Sequence, residues 1–132
     1  MIAIEFCEIG RALKELKLPY FDLVIGIASG GVVPASLVAY KIASDMRIVS
    51  INYRGPDNSP CRHEPLLVSE FNLPEKISSI LLVDDVSVSG KTLEYAKGLF
   101  PDHEVKTFVL KGKADYVLFP QLDSCVKWPW KA

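Results

Sequence analysis

Apolar and polar positions along the chain switch between two periods. From Glu8 to Leu18 apolar residues fall at 9, 12, 13, 16 and 18, close to helical spacing, and predict a first helix. Tyr20-Phe21-Asp22 breaks that pattern. Leu23-Val24-Ile25-Gly26-Ile27 is a continuous, largely β-branched run, which predicts a strand covered on both faces. Ser29-Gly30-Gly31 reads as a turn. Val32–Ala43 reads as a helix with Pro34 in its first turn, where a missing N–H is tolerated. Arg47–Tyr53 predicts a second strand and Pro65–Glu70 a short edge strand. Ile80-Leu81-Leu82-Val83 is the clearest buried strand. A helix over Ser89–Phe100 follows, capped by Ser89 and stopped by Pro101. Val105–Leu110 and Tyr116–Phe119 predict the last strands. Such alternation of strands with helices predicts an α/β fold, a mostly parallel twisted sheet flanked by helices. Sheets of that kind bind ligands at the carboxyl ends of their strands.

Composition changes this picture mainly by exclusion. The chain has 132 residues, 49% of them apolar and 23% charged, which suits a single globular domain. Fifteen basic residues against 16 acidic ones leave a net charge of −1, so there is no bulk attraction for nucleic acid or an anionic membrane. The longest uncharged run, Leu23–Tyr40, is interrupted by Ser29-Gly30-Gly31 and Pro34, unlike the ~20 apolar residues of a membrane span. Met1-Ile2-Ala3-Ile4-Glu5-Phe6 lacks the basic flank and long apolar run of a signal peptide, so a cytoplasmic protein is expected. Cysteines at 7, 61 and 125 are odd in number and widely spaced, with no CxxC pair, which argues against a disulfide framework or a zinc knuckle. One segment differs from the rest. Arg54–Pro65 carries Gly55, Pro56, Asp57, Asn58, Ser59 and Pro60, and a long polar loop in a compact chain predicts either a functional lid or a disordered segment.

The chemistry concentrates in Ile80-Leu81-Leu82-Val83-Asp84-Asp85-Val86-Ser87-Val88-Ser89-Gly90-Lys91-Thr92. An apolar strand delivers two adjacent carboxylates, and a small hydroxyl-rich turn then opens a helix. The amides of such a turn and of the helix start make a phosphate site, to which Lys91 and the hydroxyls of Ser87, Ser89 and Thr92 add donors. Carboxylates beside a phosphate site fit a sugar phosphate, because they accept hydrogen bonds from sugar hydroxyls and can hold Mg²⁺. Gly90-Lys91-Thr92 ends like a Walker A loop, but that motif needs glycine five positions before Gly90, where Asp85 stands.

Residues 80–92 resemble the phosphoribosyl pyrophosphate (PRPP) signature of the type I phosphoribosyltransferases: four apolar residues, two acids, then a small Thr/Ser/Gly-rich loop. The resemblance implies that Asp84 and Asp85 hold the ribose 2- and 3-hydroxyls, with Asp85 also near Mg²⁺, and that Val88–Thr92 wraps the 5-phosphate. Val86 and Ser87 belong to the same PRPP-binding stretch. Gly26–Ala35 is similar to the family's pyrophosphate loop, which implies pyrophosphate contacts from Ala28, Ser29, Gly30 and Gly31. Many members carry Arg or Lys where this chain has Ser29, and a cis peptide often found in that loop would fall at Ala28–Ser29. Segment 54–65 lies where the family places its mobile catalytic loop, which implies that Arg54, as a catalytic cation, and Arg62 meet the pyrophosphate. Lys111, at the end of a strand, matches a lysine that contacts O6 of 6-oxopurines. Cys125-Val126-Lys127-Trp128-Pro129-Trp130 resembles the hood of xanthine–guanine and hypoxanthine enzymes. Val88, Lys111, Cys125 and Val126 are the implied base-binding residues. Three departures bear on the base: Val88 replaces an aspartate, Cys125 an aromatic, and Lys131 an acid.

What the resemblance implies is one domain over 1–132 with a hood at about 112–132, acting on PRPP and a purine-like base with Mg²⁺ as cofactor. The expected product is a nucleoside monophosphate, as in purine salvage, from a homodimer or higher homo-oligomer. The alternative is a PRPP- or nucleotide-binding regulatory or degenerate homologue without transferase activity.

Overall fold

The computed structural model describes residues 1–52, 66–67 and 72–131. Its elements in chain order are β1 (Ile2–Ala3), α1 (Phe6–Glu15), β2 (Leu23–Ala28), α2 (Val32–Ile42), β3 (Asp45–Asn52), β4 (Leu66–Leu67), β5 (Ser79–Ser87), α3 (Lys91–Gly98), β6 (Glu104–Gly112), β7 (Tyr116–Val117) and β8 (Val126–Lys127). Six strands form one sheet in the order β4-β3-β2-β5-β6-β7, while β1 and β8 pair separately. Every neighbouring pair in the larger sheet is parallel except β3–β4. Parallel neighbours need crossovers, and α2 and α3 supply them between β2 and β3 and between β5 and β6. This is the mostly parallel, helix-flanked α/β sheet that the alternation predicts.

Side chains alternate across the central strands and so divide the core into two layers. Val24, Leu81, Val83, Phe108 and Leu110 pack with Ile9 and Leu13 of α1, Val38 of α2, and Trp128. Leu23, Ile25, Ile27, Ile80, Leu82 and Val109 pack on the other face with Leu93 and Ala96 of α3 and Phe100. Both faces being covered explains why β2 and β5 read as unbroken apolar runs.

Register sets the notch in which the site lies. β5 pairs with β2 only from Leu23↔Ile80 to Gly26↔Val83, but with β6 from Ser79↔Glu104 to Ser87↔Gly112. Beyond Val83 the strand therefore continues along β6 alone, leaving space beside the end of β2. Asp22 fixes the other end of this pairing. Its Oδ2 accepts the Ser78 N–H (2.8 Å), the Ser78 hydroxyl (3.0 Å) and the Ser79 N–H (3.1 Å), and its own N–H donates to Ser79 Oγ at 2.9 Å. These donors hold the Asp22 carboxyl below its usual range.

Several boundaries differ from the pattern-based expectation. α1 starts at Phe6 because the Glu5 N–H donates to Glu8 Oε2 at 2.7 Å, which closes the first turn two residues early. β5 runs four residues past Val83, because pairing with β6 carries the two aspartates into the strand. α3 begins at Lys91 rather than Ser89. Gly90 stands before it at φ 84°, a left-handed backbone that cannot be the first residue of a helix, and Ser89 Oγ accepts the Lys91 N–H at 3.3 Å from just outside. β1 and β8, two residues each, fell below any readable period. Of the expected 65–70 edge strand the described part is Leu66–Leu67, antiparallel to β3. The 54–65 loop, with Arg54 and Arg62, lies outside the described residues. Among those described, no helix is long and apolar enough to cross a membrane.

Candidate active site

The end of β5 carries the acids. Both side chains are partly buried. Asp84 Oδ1 accepts the Asp85 N–H and Asp85 Oδ1 the Val86 N–H, each at 2.8 Å. These bonds turn each carboxylate back along its own backbone. Asp85 Oδ2 faces Lys131 Nζ at 3.6 Å. Burial pushes the Asp84 carboxyl well above the usual carboxylate range and the like charge of Asp85 adds to the rise, while the Asp85 N–H and the charge of Lys131 oppose it.

Beyond the acids the chain turns through Ser87–Gly90 into α3. Ser87 is buried and its carbonyl accepts the Lys113 N–H at 2.9 Å, which ties the turn to the segment after β6. Gly112, at φ 114°, lies so close that a Cβ there would overlap the Ser87 carbonyl. Val88 is 71% exposed, an apolar side chain offered to the cleft. The Lys91 N–H meets Ser89 Oγ, and the amides that follow it in the first turn of α3 have no carbonyl one turn earlier to bond, which suits them to an anion.

Opposite the acids is the loop that joins β2 to α2. Its Ala28–Ser29 peptide is cis, at the position the resemblance implied. The Gly31 N–H donates to the Ile27 carbonyl at 2.8 Å and the Val32 N–H to the Ser29 carbonyl at 3.2 Å. A Cβ on Gly30 would stand 2.5 Å from Asp85 Oδ2, so glycine there lets the loop lie directly against the acid.

The third wall comes from the C-terminal segment. Lys111, opposite Val86 in the β5–β6 register, is partly buried. Cys125 and Val126 are held by β1: the Ile2 N–H donates to the Cys125 carbonyl at 3.0 Å, and the Ile4 N–H to the Lys127 carbonyl at 3.2 Å. Trp128 is 2% exposed and stacks on Trp130, with ring centres 5.7 Å apart and planes 5° apart. Acids, turn, β2–α2 loop and hood surround one cleft of about 930 Å³.

A model of the phosphoribosyl transferase domain matches residues 7–130, nearly the whole chain. The chain belongs to the phosphoribosyl transferase domain family. It is 25% identical to the xanthine-guanine phosphoribosyltransferase of Idiomarina loihiensis over 134 aligned residues, covering 93% of this chain and 82% of that one. Its fold matches the purine phosphoribosyltransferase of Pyrococcus horikoshii with a TM-score of 0.79, at 21% identity over 99% of this chain and 94% of the other. It also matches the xanthine-guanine-hypoxanthine phosphoribosyltransferase of Helicobacter pylori with a TM-score of 0.81, at 15% identity over 98% and 93%.

This phosphoribosyl transferase domain brings most of the residues singled out from its sequence to one place. Ala28, Ser29, Gly30, Asp84–Thr92, Lys111, Cys125 and Val126 all line the cleft, whereas Gly31 of the same loop does not. Arg54 lies outside the described residues. The residues that sequence reasoning did not place in the cleft are Met1, Ile27, Ile51, Leu93 and Lys131, while Trp128 enters it with the hood. Lys131 had been noted as a departure in charge, but nothing in one sequence pairs it with an aspartate 46 positions earlier.

Proposed function

We propose that this domain transfers the 5-phosphoribosyl group of PRPP to a ring nitrogen of a base, with a 6-oxopurine as the leading acceptor. One observation carries the reading. A single cleft presents a carboxylate pair, an amide-lined turn, a glycine loop and a wall of Lys111 with the hood, which suit in turn the ribose hydroxyls, 5-phosphate, pyrophosphate and base of such a pair of substrates. Xanthine-guanine names among the relatives support a purine acceptor.

In this reading Asp84 and Asp85 accept hydrogen bonds from the ribose 2- and 3-hydroxyls through the oxygens their backbone bonds leave over. Val88–Thr92 holds the 5-phosphate, Ala28–Gly31 the pyrophosphate, and Lys111 an exocyclic oxygen of the base. Val88, Cys125 and Val126 complete the base wall. The base nitrogen forms its bond to C1 as the bond from C1 to the pyrophosphate oxygen breaks. The electron pair of that bond leaves with pyrophosphate, and the base loses its ring proton. The protein's contribution is positioning and charge stabilisation, without a covalent intermediate.

The residues fit Mg²⁺ as the cofactor. That ion is usually held by one or two carboxylates together with substrate phosphates rather than by an all-protein cage. Asp85 offers such a carboxylate, and no group of three or more metal-ligating side chains occurs among the described residues. A like-charged neighbour beside the partly buried Asp84 is also an arrangement that a cation relieves. When bound, the ion would neutralise charge on the pyrophosphate.

The test is a panel of purines and pyrimidines incubated with the protein, PRPP and Mg²⁺, read as pyrophosphate release and nucleotide formation. Turnover with a 6-oxopurine is expected. PRPP binding without product from any base would overturn the transferase reading in favour of a PRPP-binding homologue.

A further inference from the structure

The cleft's cations are unevenly placed. Among the described residues that line it, three are basic: Lys91, Lys111 and Lys131. Lys91 opens α3 at the turn assigned to the 5-phosphate, and Lys111 stands near the end of β6 at the base wall. The loop assigned to pyrophosphate, Ala28-Ser29-Gly30-Gly31, contains no cation at all. Yet this is where the reaction puts its charge, because the leaving oxygen gains an electron pair as C1 is released.

Lys131 fills that gap from the far end of the chain. Its Nζ lies 3.6 Å from Asp85 Oδ2, the same oxygen that a Cβ on Gly30 would meet at 2.5 Å. The ammonium is therefore at the junction of the acid and the glycine loop. Its backbone is held there. The Lys131 N–H donates to the Trp128 carbonyl at 3.1 Å, and the adjoining Trp130 is clamped between Trp128 and Phe6, with ring centres 5.7 and 5.9 Å away. The side chain itself is 53% exposed, so its pairing with Asp85 is weak and easily exchanged.

We propose that Lys131 is a pyrophosphate-contacting residue. Its ammonium rests on Asp85 in the free protein and moves to the pyrophosphate oxygens when substrate binds, supplying from the hood the cation that the β2–α2 loop lacks. The exchange frees Asp85 Oδ2 for the ribose hydroxyls or the divalent cation. It also places a positive charge beside the oxygen that receives the electron pair of the breaking bond. The inference rests on the transferase reading given above.

Calorimetric titration with inorganic pyrophosphate at fixed Mg²⁺, with ribose 5-phosphate as the control ligand, tests it. Lys131→Met keeps the aliphatic stem and removes the charge. It should weaken pyrophosphate binding about tenfold, the size of one charge-assisted contact, and change ribose 5-phosphate binding less than about twofold. Lys131→Arg should restore most of the lost affinity, which a merely structural role of the side chain would not require. Equal pyrophosphate affinity in wild type and Lys131→Met, or equal weakening of both ligands, overturns the proposal and leaves the transferase reading standing. A wild-type protein that binds neither PRPP nor pyrophosphate overturns both.

Discussion

Asp84→Asn should make the free protein more stable and bind PRPP less well. The asparagine Oδ1 can keep the 2.8 Å bond from the Asp85 N–H, so the end of β5 retains its shape. What disappears is a carboxylate whose folded-state pKa is raised by burial and by Asp85 above the ordinary 3.8. With the folded value above the unfolded one, the native protein binds more protons than the unfolded chain in the interval between them. Stability therefore falls as pH rises from about 4 through the folded value, and stays at the lower level above it. Above the unfolded value the wild type bears a growing penalty for holding a desolvated, repelled carboxyl, and the variant bears none. A typical substitution costs about 1 kcal/mol. Asp84→Asn is expected to show a gain at neutral pH in metal-free buffer, with the gap closing toward about pH 4. Binding should move the other way. A hydrogen bond from a ribose hydroxyl to a carboxylate is worth roughly 1.5–3 kcal/mol, so PRPP affinity should drop roughly ten- to a hundredfold. Urea denaturation across that pH range, paired with PRPP titration calorimetry, reads both effects. A variant less stable than wild type at pH 7, with PRPP affinity intact, would refute the reasoning: Asp84 would then be a structural acid.

Three further substitutions probe other parts of the fold. Trp128→Ala removes a side chain 2% exposed and stacked between Phe119 and Trp130, and should cost about 3–5 kcal/mol in denaturant unfolding. A loss below about 1 kcal/mol would mean that the hood is not anchored through this ring. Asp22→Asn should destabilise the protein at neutral pH. Because the Asp22 carboxyl is held below its usual range, its contribution is present above the unfolded value and fades as pH falls through the folded one, so wild type and variant should converge in acid. A pH-independent difference would contradict that origin. Lys111→Ala should lower purine kcat/KM roughly ten- to a hundredfold while the KM for PRPP holds within about twofold, and unchanged base kinetics would make Lys111 a solvated lysine.

The central sheet was legible because its strands are covered on both faces, which forces unbroken apolar runs at Leu23–Ile27 and Ile80–Val83. The site at its edge was legible for a related reason. An acid pair followed at once by a hydroxyl-rich turn has no use in a core, and strand-end geometry aims it at a ligand. Boundaries were less visible where tertiary contacts set them. β5 extends through Asp84 and Asp85 only because β6 runs alongside, and polar residues carry no strand period of their own. Likewise, β1 and β8 exist because the two ends of the chain meet, and two residues cannot display a pattern. The aromatic ladder Phe119–Trp128–Trp130–Phe6 joins residues from opposite ends of the sequence, so its role in holding the hood could not be read locally.

Charge balance in the cleft explains why its parts come from so many elements. PRPP concentrates negative charge at two ends of a small sugar, while the sugar between them needs acceptors rather than donors. A uniformly basic pocket would hold the phosphates but leave the ribose hydroxyls without strong acceptors. A purely acidic one would repel the ligand. Here the described lining places two carboxylates in the middle and one lysine toward each of three ends, a surplus of a single positive charge. Lys91, Lys111 and Lys131 come from α3, β6 and the hood, so none is forced close to another on one element. That small surplus falls well short of the charge on a diphosphate. A divalent cation arriving with the substrate would add to that surplus, as the proposed function has it. Wild-type affinity for PRPP should accordingly fall sharply when Mg²⁺ is chelated. Affinity for ribose 5-phosphate, which lacks the pyrophosphate, should hold. Equal loss of both ligands would place the metal at the 5-phosphate instead.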